Sequence, residues 1–210
     1  MISPISNFLL LFIATIFSFK TDFYTPKERY HKTKVTRWAI QKSSTIRIQG
    51  STNVNNFGCD IIGYYRLDTI SCSEENAVSK LVTLHGDLQI DISKFDCHNK
   101  MLTGDLRKTL KSKEYPELII RFLSLERSPS IYNTKDVLRG WVEIELAGSC
   151  RRFEINYTFM KTESSLIQLN GNRCFSFADF KLTPPKKFAG LVKVKDKFNV
   201  DFNLLLDPVE

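Results

Sequence analysis

The chain has 210 residues, of which 42% are hydrophobic, 25% charged and 12% aromatic, sixteen of them Phe; this fits one folded domain, alone or with a leader, and argues against disorder or a second domain. A formal charge of +7 and a pI near 9.1 raise nucleic-acid binding as an option. More than half of that surplus sits in one N-terminal stretch, and a charged tail is not a groove-tracking surface, so that class is set aside.

Residues 8–19, FLLLFIATIFSF, form the first apolar run. As a helix it would extend about 18 Å, against roughly 30 Å of bilayer hydrocarbon, too short to span. Its length and position match a secretory signal, although MISPISN ahead of it lacks Lys and Arg and no small-x-small cleavage site follows. The expectation is a signal peptide over 1–20 and a periplasmic or secreted protein; the competing reading is a buried N-terminal strand or an uncleaved anchor. Residues 20–37 carry six basic and two acidic side chains with no apolar periodicity, which reads as a solvated basic linker at 21–37 leading into a domain at 38–210.

From Trp38 onward apolar and polar residues alternate. Val82, Leu84, Leu88, Ile90 and Ile92 share one face of a strand while Thr83, His85, Asp87, Gln89 and Asp91 take the other. The same rule separates Leu138, Val142, Ile144 and Leu146 from Arg139, Glu143 and Glu145, and Phe153, Ile155, Tyr157 and Phe159 from Glu154, Asn156 and Thr158. It returns at Phe198, Val200, Phe202, Leu204 and Leu206. About eight strands follow, near 38–49, 55–70, 79–92, 116–127, 136–147, 150–161, 165–180 and 190–206, joined by short connections typical of antiparallel neighbours. One-sided strands with almost no helix to cover them must close on each other as a sandwich or a barrel. The length of several strands, above the usual mode of about five or six residues, favours a barrel. An eight-stranded barrel is either filled by side chains or just wide enough for one slender ligand, and periodicity does not choose between the two.

One stretch breaks the pattern. In NKMLTGDLRKTLKSKEYPELIIRF, residues 99–122, Thr103 is placed to cap a short helix and Asp105 to favour its positive end. Leu106 and Leu110 form a narrow apolar stripe suited to covering an open barrel mouth, with Arg107, Lys108 and Lys111 turned to water. Tyr115-Pro116 stops the helix, because the residue before Pro is pushed towards extended geometry. The segment reads as a lid.

A short helix running into YPELIIRF resembles the YceI-like family, as do WAIQKSSTIRIQGSTNVNNFGCD at 38–60, LRGWVEIELAGSCRRFEINY at 138–157 and the closing FSFADFKLTPPKKFAGLVKVKDKFNVDFNLLL at 175–206. The resemblance covers about residues 38–206, and the STN-x-N-x-F-x-C and TPP-K forms look like its Bacteroidetes-type branch. It implies an all-β fold: an eight-stranded antiparallel lipocalin-like barrel with the helix as lid, usually exported, with an elongated apolar lumen holding a polyisoprenoid chain. The chain departs from the better-known pattern at Asn53 to Asn56, where a His is missing, and before the helix, where a basic-acidic pair is reduced to Thr103 and Asp105.

On that reading Leu84, Leu88, Phe122, Leu138, Val142, Tyr157, Phe159, Phe177 and Phe202 are the candidate chain contacts, since a prenyl tail offers only apolar area, worth about 25 cal/mol per Å² buried. Ordinary core packing is the competing reading for each. Lys186 and Lys187, in a basic cluster with Lys181, Lys193, Lys195 and Lys197, are candidates for an anionic head group or transient contact with a membrane surface; a solvated rim is the plainer account. Of the five Cys, the candidate disulfides are Cys59 with Cys97 and Cys150 with Cys174, with buried thiols as the alternative.

No CxxC or paired His spacing points to a metal, and no cofactor is implied. His85 with Asp87 lies on a polar face, Ser164-Ser165 lacks a nucleophile elbow, and His98 beside Cys97 would activate a thiol only if that Cys were unpaired and reachable. An enzyme is not expected. The leading expectation is an exported protein that sequesters or carries an isoprenoid or similar amphiphilic lipid; the alternative is a structural or stress-associated envelope protein with a filled barrel and an external protein partner.

Overall fold

A computed structural model describes residues 34–62, 64–74, 81–131, 135–187 and 191–209. The expected leader and residues 21–33 of the linker lie outside them. Strand β1 (Lys34–Ile40) begins four residues ahead of Trp38, because Val35 and Arg37 already pair with Ser73 and Ser71 across the sheet. Twelve more strands follow: β2 (Thr45–Ser51), β3 (Asn56–Ile62), β4 (Thr69–Glu74), β5 (Val82–His85), β6 (Asp87–Asp91), β7 (Glu117–Leu125), β8 (Asp136–Leu146), β9 (Ser149–Lys161), β10 (Ile167–Ser176), β11 (Lys186–Lys187), β12 (Val192–Lys193) and β13 (Lys197–Val209). One α-helix, α1 (Lys100–Thr109), stands between β6 and β7.

These strands occupy eight positions. β1 and β2 are one strand kinked at 41–44: β1 pairs with Leu206 to Val209 of β13, and β2 pairs with Asn199 to Asn203 of the same strand. β3 and β4 form the next position in the same way, β3 against β2 and β4 against β1. The two kinks hold each other, since Ile40 N donates to Asp68 O at 2.9 Å and Tyr64 N to Lys42 O at 2.8 Å, while buried Ser44 accepts Leu205 N on its hydroxyl at 3.0 Å. β5 and β6 share the third position, interrupted at Gly86, whose φ of +152° suits glycine and whose Cβ would meet the Thr69 carbonyl oxygen at 2.5 Å. β7, β8, β9, β10 and β13 complete the ring, every neighbour antiparallel, and the β13–β1 pairing closes it. The result is an eight-position antiparallel barrel with one short helix.

The expected strand over 165–180 ends at Ser176, where a capping box with Asp179 opens a 3-10 turn over Phe177–Phe180. The helix is capped by Asn99, not Thr103: Asn99 Oδ1 accepts the amides of Met101 and Leu102 at 3.0 and 3.1 Å. Thr103 is buried inside the helix, where its hydroxyl accepts Cys97 N at 3.0 Å. Arg107, expected in water, donates to the carbonyls of Ser93 and Phe95, at 2.5 and 3.3 Å, and so anchors α1 to the barrel rim.

Candidate functional site

The strand directions gather α1, the 3-10 turn, the β2–β3 turn and the β11–β12 hairpin at one end of the barrel. The inward-facing residues differ between the two halves. Towards the opposite end, Trp38, Ile70, Val82, Leu125, Leu138, Tyr157, Phe159, Leu204 and Leu206 are all at most 3% exposed and fill the interior. Towards the helix end a cavity of about 80 Å³ remains, lined by hydrophobic side chains alone, among them Ile46, Leu118, Ile144, Ile155 and Phe175 from the walls, Leu106 from α1 and Leu110, which caps its C-terminal end. An apolar cavity of that kind stays dry and is filled favourably only by apolar atoms.

The cavity has a mouth. Phe57 and Phe198 line it and also line an external groove of about 1,090 Å³ that runs over the barrel lip between α1, the β2–β3 pair and the start of β13. Both rings are half-buried. Phe57 lies across Gly50, its cross-strand partner, so closely that a Cβ there would be 2.3 Å from Cζ of the ring. Phe198 packs on Phe177 and Phe175 with centroids 5.0 and 6.0 Å apart.

The groove carries a polar cluster beside this apolar lip. Arg47 Nε meets Asp60 Oδ1 at 2.6 Å and His98 Nε2 meets Asp60 Oδ2 at 3.0 Å. The hydrogen bond from Arg47, with a smaller contribution from His98, holds the Asp60 carboxyl below its ordinary pKa. Cys59 and Cys97, each next to a member of the cluster, form the disulfide that ties β3 to the segment leading into α1. Cys150 and Cys174 form no disulfide with each other: Cys174 lies two residues from the end of β10, where continuing the β9–β10 register past Asn172–Asn156 sets it level with Glu154, four residues along β9 from Cys150. With Cys97 in the disulfide, the thiol that His98 would have activated is already bonded.

The nine residues expected to contact a chain are all buried, but they divide. Val142, Phe177 and Phe202 line the cavity; Leu84, Leu88, Phe122, Leu138, Tyr157 and Phe159 do not. The elongated lumen implied by the family resemblance is confined to the helix half, because large side chains on β5, β8 and β9 fill the other. Lys186 is exposed on the β11–β12 hairpin at the helix end and does not line the groove. Lys187 follows it in β11, its side chain outside the described residues. Most of the lining was missed by sequence reasoning, including Phe57, Phe198, Ile46, Phe175, Leu118 and Ile120; the one signal that could have found any of them is that Leu118 and Ile120 sit in the strand the chain enters after the helix that covers the cavity. Among the described residues no cluster of His, Cys, Asp or Glu could hold a metal ion.

No protein-family model matches the sequence, and no curated protein matches it. Solved structures do match. A polyisoprenoid binding domain from Saccharophagus degradans, implicated in plant cell wall breakdown, aligns with a TM-score of 0.59 at 12% identity, over 83% of this chain and 99% of that one. BcnA of Burkholderia cenocepacia aligns with a TM-score of 0.55 at 14% identity, over 77% and 95% of the two chains. The YceI protein of Campylobacter jejuni aligns with a TM-score of 0.45 at 16% identity, over 71% and 85%. The first two likenesses establish the fold, a closed antiparallel barrel shared with those two proteins.

Proposed function

We propose that this protein binds and carries an isoprenoid or similar amphiphilic lipid, with the apolar tail in the helix half of the barrel and the polar end in the groove outside it. One observation carries the reading: an interior cavity lined only by hydrophobic side chains meets a polar groove through two half-buried rings, Phe57 and Phe198. That sequence of surfaces matches an amphiphile end to end. The fold shared with a polyisoprenoid binding domain supports it. The disulfide Cys59–Cys97 supports export to an oxidising compartment, periplasmic or secreted.

A cavity of about 80 Å³ is well below the roughly 300–1,000 Å³ of ordinary ligand pockets. A chain therefore enters by displacing Phe57 and Phe198 outward and lifting α1, which borders the cavity through Leu106 and its C-cap Leu110. The same small volume is what a filled barrel with an external protein partner would have, so the two readings part on binding. Purified protein is extracted with organic solvent, the extract analysed by mass spectrometry, and the emptied protein titrated with a fluorescent prenyl probe. A co-purifying isoprenoid-type lipid and saturable probe binding are expected; neither appearing would leave the filled barrel as the function-bearing form.

A further inference from the structure

The groove outside the mouth is nearly free of net charge. Its positive side chains are Arg47 and Lys197 and its carboxylates are Asp60 and Asp105, with His98 beside them. Arg47 is already engaged by Asp60 at 2.6 Å, and His98 shares the same carboxylate. The remaining polar lining is dominated by amides: Gln49, Asn55, Asn56, Asn99 and Asn199. Two of these are occupied, Asn99 in capping α1 and Asn55 in accepting the Thr52 hydroxyl at 2.9 Å. Gln49, Asn56 and Asn199 are exposed around the lip beside Phe57 and Phe198. The basic residue Lys186 lies outside this lining.

A phosphate or carboxylate head is held by convergent cations or by free backbone N–H groups at a helix N-terminus or a glycine-rich turn. In the groove Arg47 is taken by Asp60, and the N-terminus of α1, which lines it, has the Met101 and Leu102 amides already donated to Asn99 Oδ1. Amide side chains donate and accept at once, which is what a set of hydroxyl groups requires. Resting on the carrier reading above, we propose that the groove selects an uncharged, hydroxyl-rich head group, so that the preferred ligand class is a sugar-headed lipid and not a prenyl phosphate or a free fatty acid. The sugar sits over Gln49, Asn56 and Asn199 while the tail passes between Phe57 and Phe198.

Three probes with one tail test this: dodecyl maltoside, dodecyl phosphate and dodecanol, each below its micelle concentration, in competition with a fluorescent prenyl probe on the full chain. Dodecyl maltoside is expected to displace the probe at about tenfold lower concentration than dodecyl phosphate. The double variant Asn56→Ala/Asn199→Ala should weaken the maltoside by about fivefold and leave dodecanol unchanged. Equal or tighter binding of dodecyl phosphate, or a variant that loses maltoside and dodecanol alike, overturns the head-group assignment and leaves the carrier reading standing. Failure of the probe and of all three dodecyl compounds to bind removes both.

Discussion

Two glycines on inward-facing positions separate the solid half of the barrel from the adaptable half. A Cβ at Gly140 would lie 2.5 Å from the Ser124 carbonyl oxygen, 2.7 Å from the Tyr157 ring and 2.9 Å from Leu125, so backbone and two filled core positions would have to move together. A Cβ at Gly171 would lie 1.9 Å from Cζ of Phe202, a ring that borders the cavity and has somewhere to go. Gly140→Ala is therefore expected to cost about 3 kcal/mol and Gly171→Ala about 1 kcal/mol, read from urea unfolding of both variants; the reverse order would mean that the packed half yields more easily than the cavity half. A second residue sets the acid limb of stability. Asp136 takes a bidentate pair from Arg127 at 2.6 and 2.8 Å and the Ser130 amide at 2.7 Å, and these hydrogen bonds, Arg127 first, lower its pKa to about 2. A carboxylate depressed in the folded state contributes stability above its unfolded pKa near 4 and loses it as pH falls through the folded value. Stability should thus drop by about 1 kcal/mol between about pH 4 and pH 2 after allowance for the exposed Arg127 side. Asp136→Asn should flatten that limb in unfolding curves taken across the range.

The elements followed the alternation wherever a strand runs straight, as β8 and β9 do within one residue; β7 keeps its expected bounds within two residues but shifts register against β8 between Phe122 and Ser124. They departed from it where the barrel has to bend. The interruptions at 41–44 and Gly86 keep the period-2 faces correct on both sides, so periodicity reads straight through them; only the isolated Gly86 and the Ser44 at a would-be core position mark the breaks in sequence. The lid helix was legible as a break in the alternation ahead of Pro116, but both ends were misplaced: it stops at Thr109, with Leu110 as C-cap and Lys111 in the left-handed region (φ +52°), and not at Tyr115-Pro116, and its start was misread because Thr103 outranked Asn99 when no partner for Thr103 was in view. That partner is Cys97, and it belongs to the weakest seam of the barrel. There β3 meets the segment before α1 through the single bridge Asp60–Asp96, with N–O distances of 2.8 and 3.0 Å, and the Cys59–Cys97 disulfide spans it. Closing a loop across 38 residues restricts the unfolded chain by about 4 kcal/mol in the chain-entropy account, with about 2–4 kcal/mol usual in practice. Cys59→Ala/Cys97→Ala should lose about that much stability and should speed hydrogen exchange in α1 more than in β8 or β9. Uniform acceleration across all three would show that the bond holds the whole barrel and not its lid.

At the scale of the whole molecule, alternation identifies which side of each strand faces inward but not how deep along the barrel axis a residue lies. That is why Val142 and Leu138, four residues apart on one face of β8, look equivalent in sequence and differ in the structure. Leu138 is completely buried in the packed half, and Val142 borders the cavity. Depth emerges only when closure of the ring sets eight strands against one another and shows which ends share the helix. The difference yields a paired expectation. Leu138→Ala leaves a void among large neighbours and should cost about 2–5 kcal/mol while leaving prenyl-probe affinity close to that of the parent, provided binding is measured where the variant remains folded. Val142→Phe adds apolar volume where there is already empty space, so it should leave the melting temperature unchanged or raise it, and it should weaken the probe by about tenfold or more by occupying the tail's path. Loss of binding without loss of stability cannot come from a damaged fold. If Val142→Phe instead binds the probe as the parent does, the tail does not enter the barrel, and the outer groove with its mouth residues becomes the site to examine by the same titration.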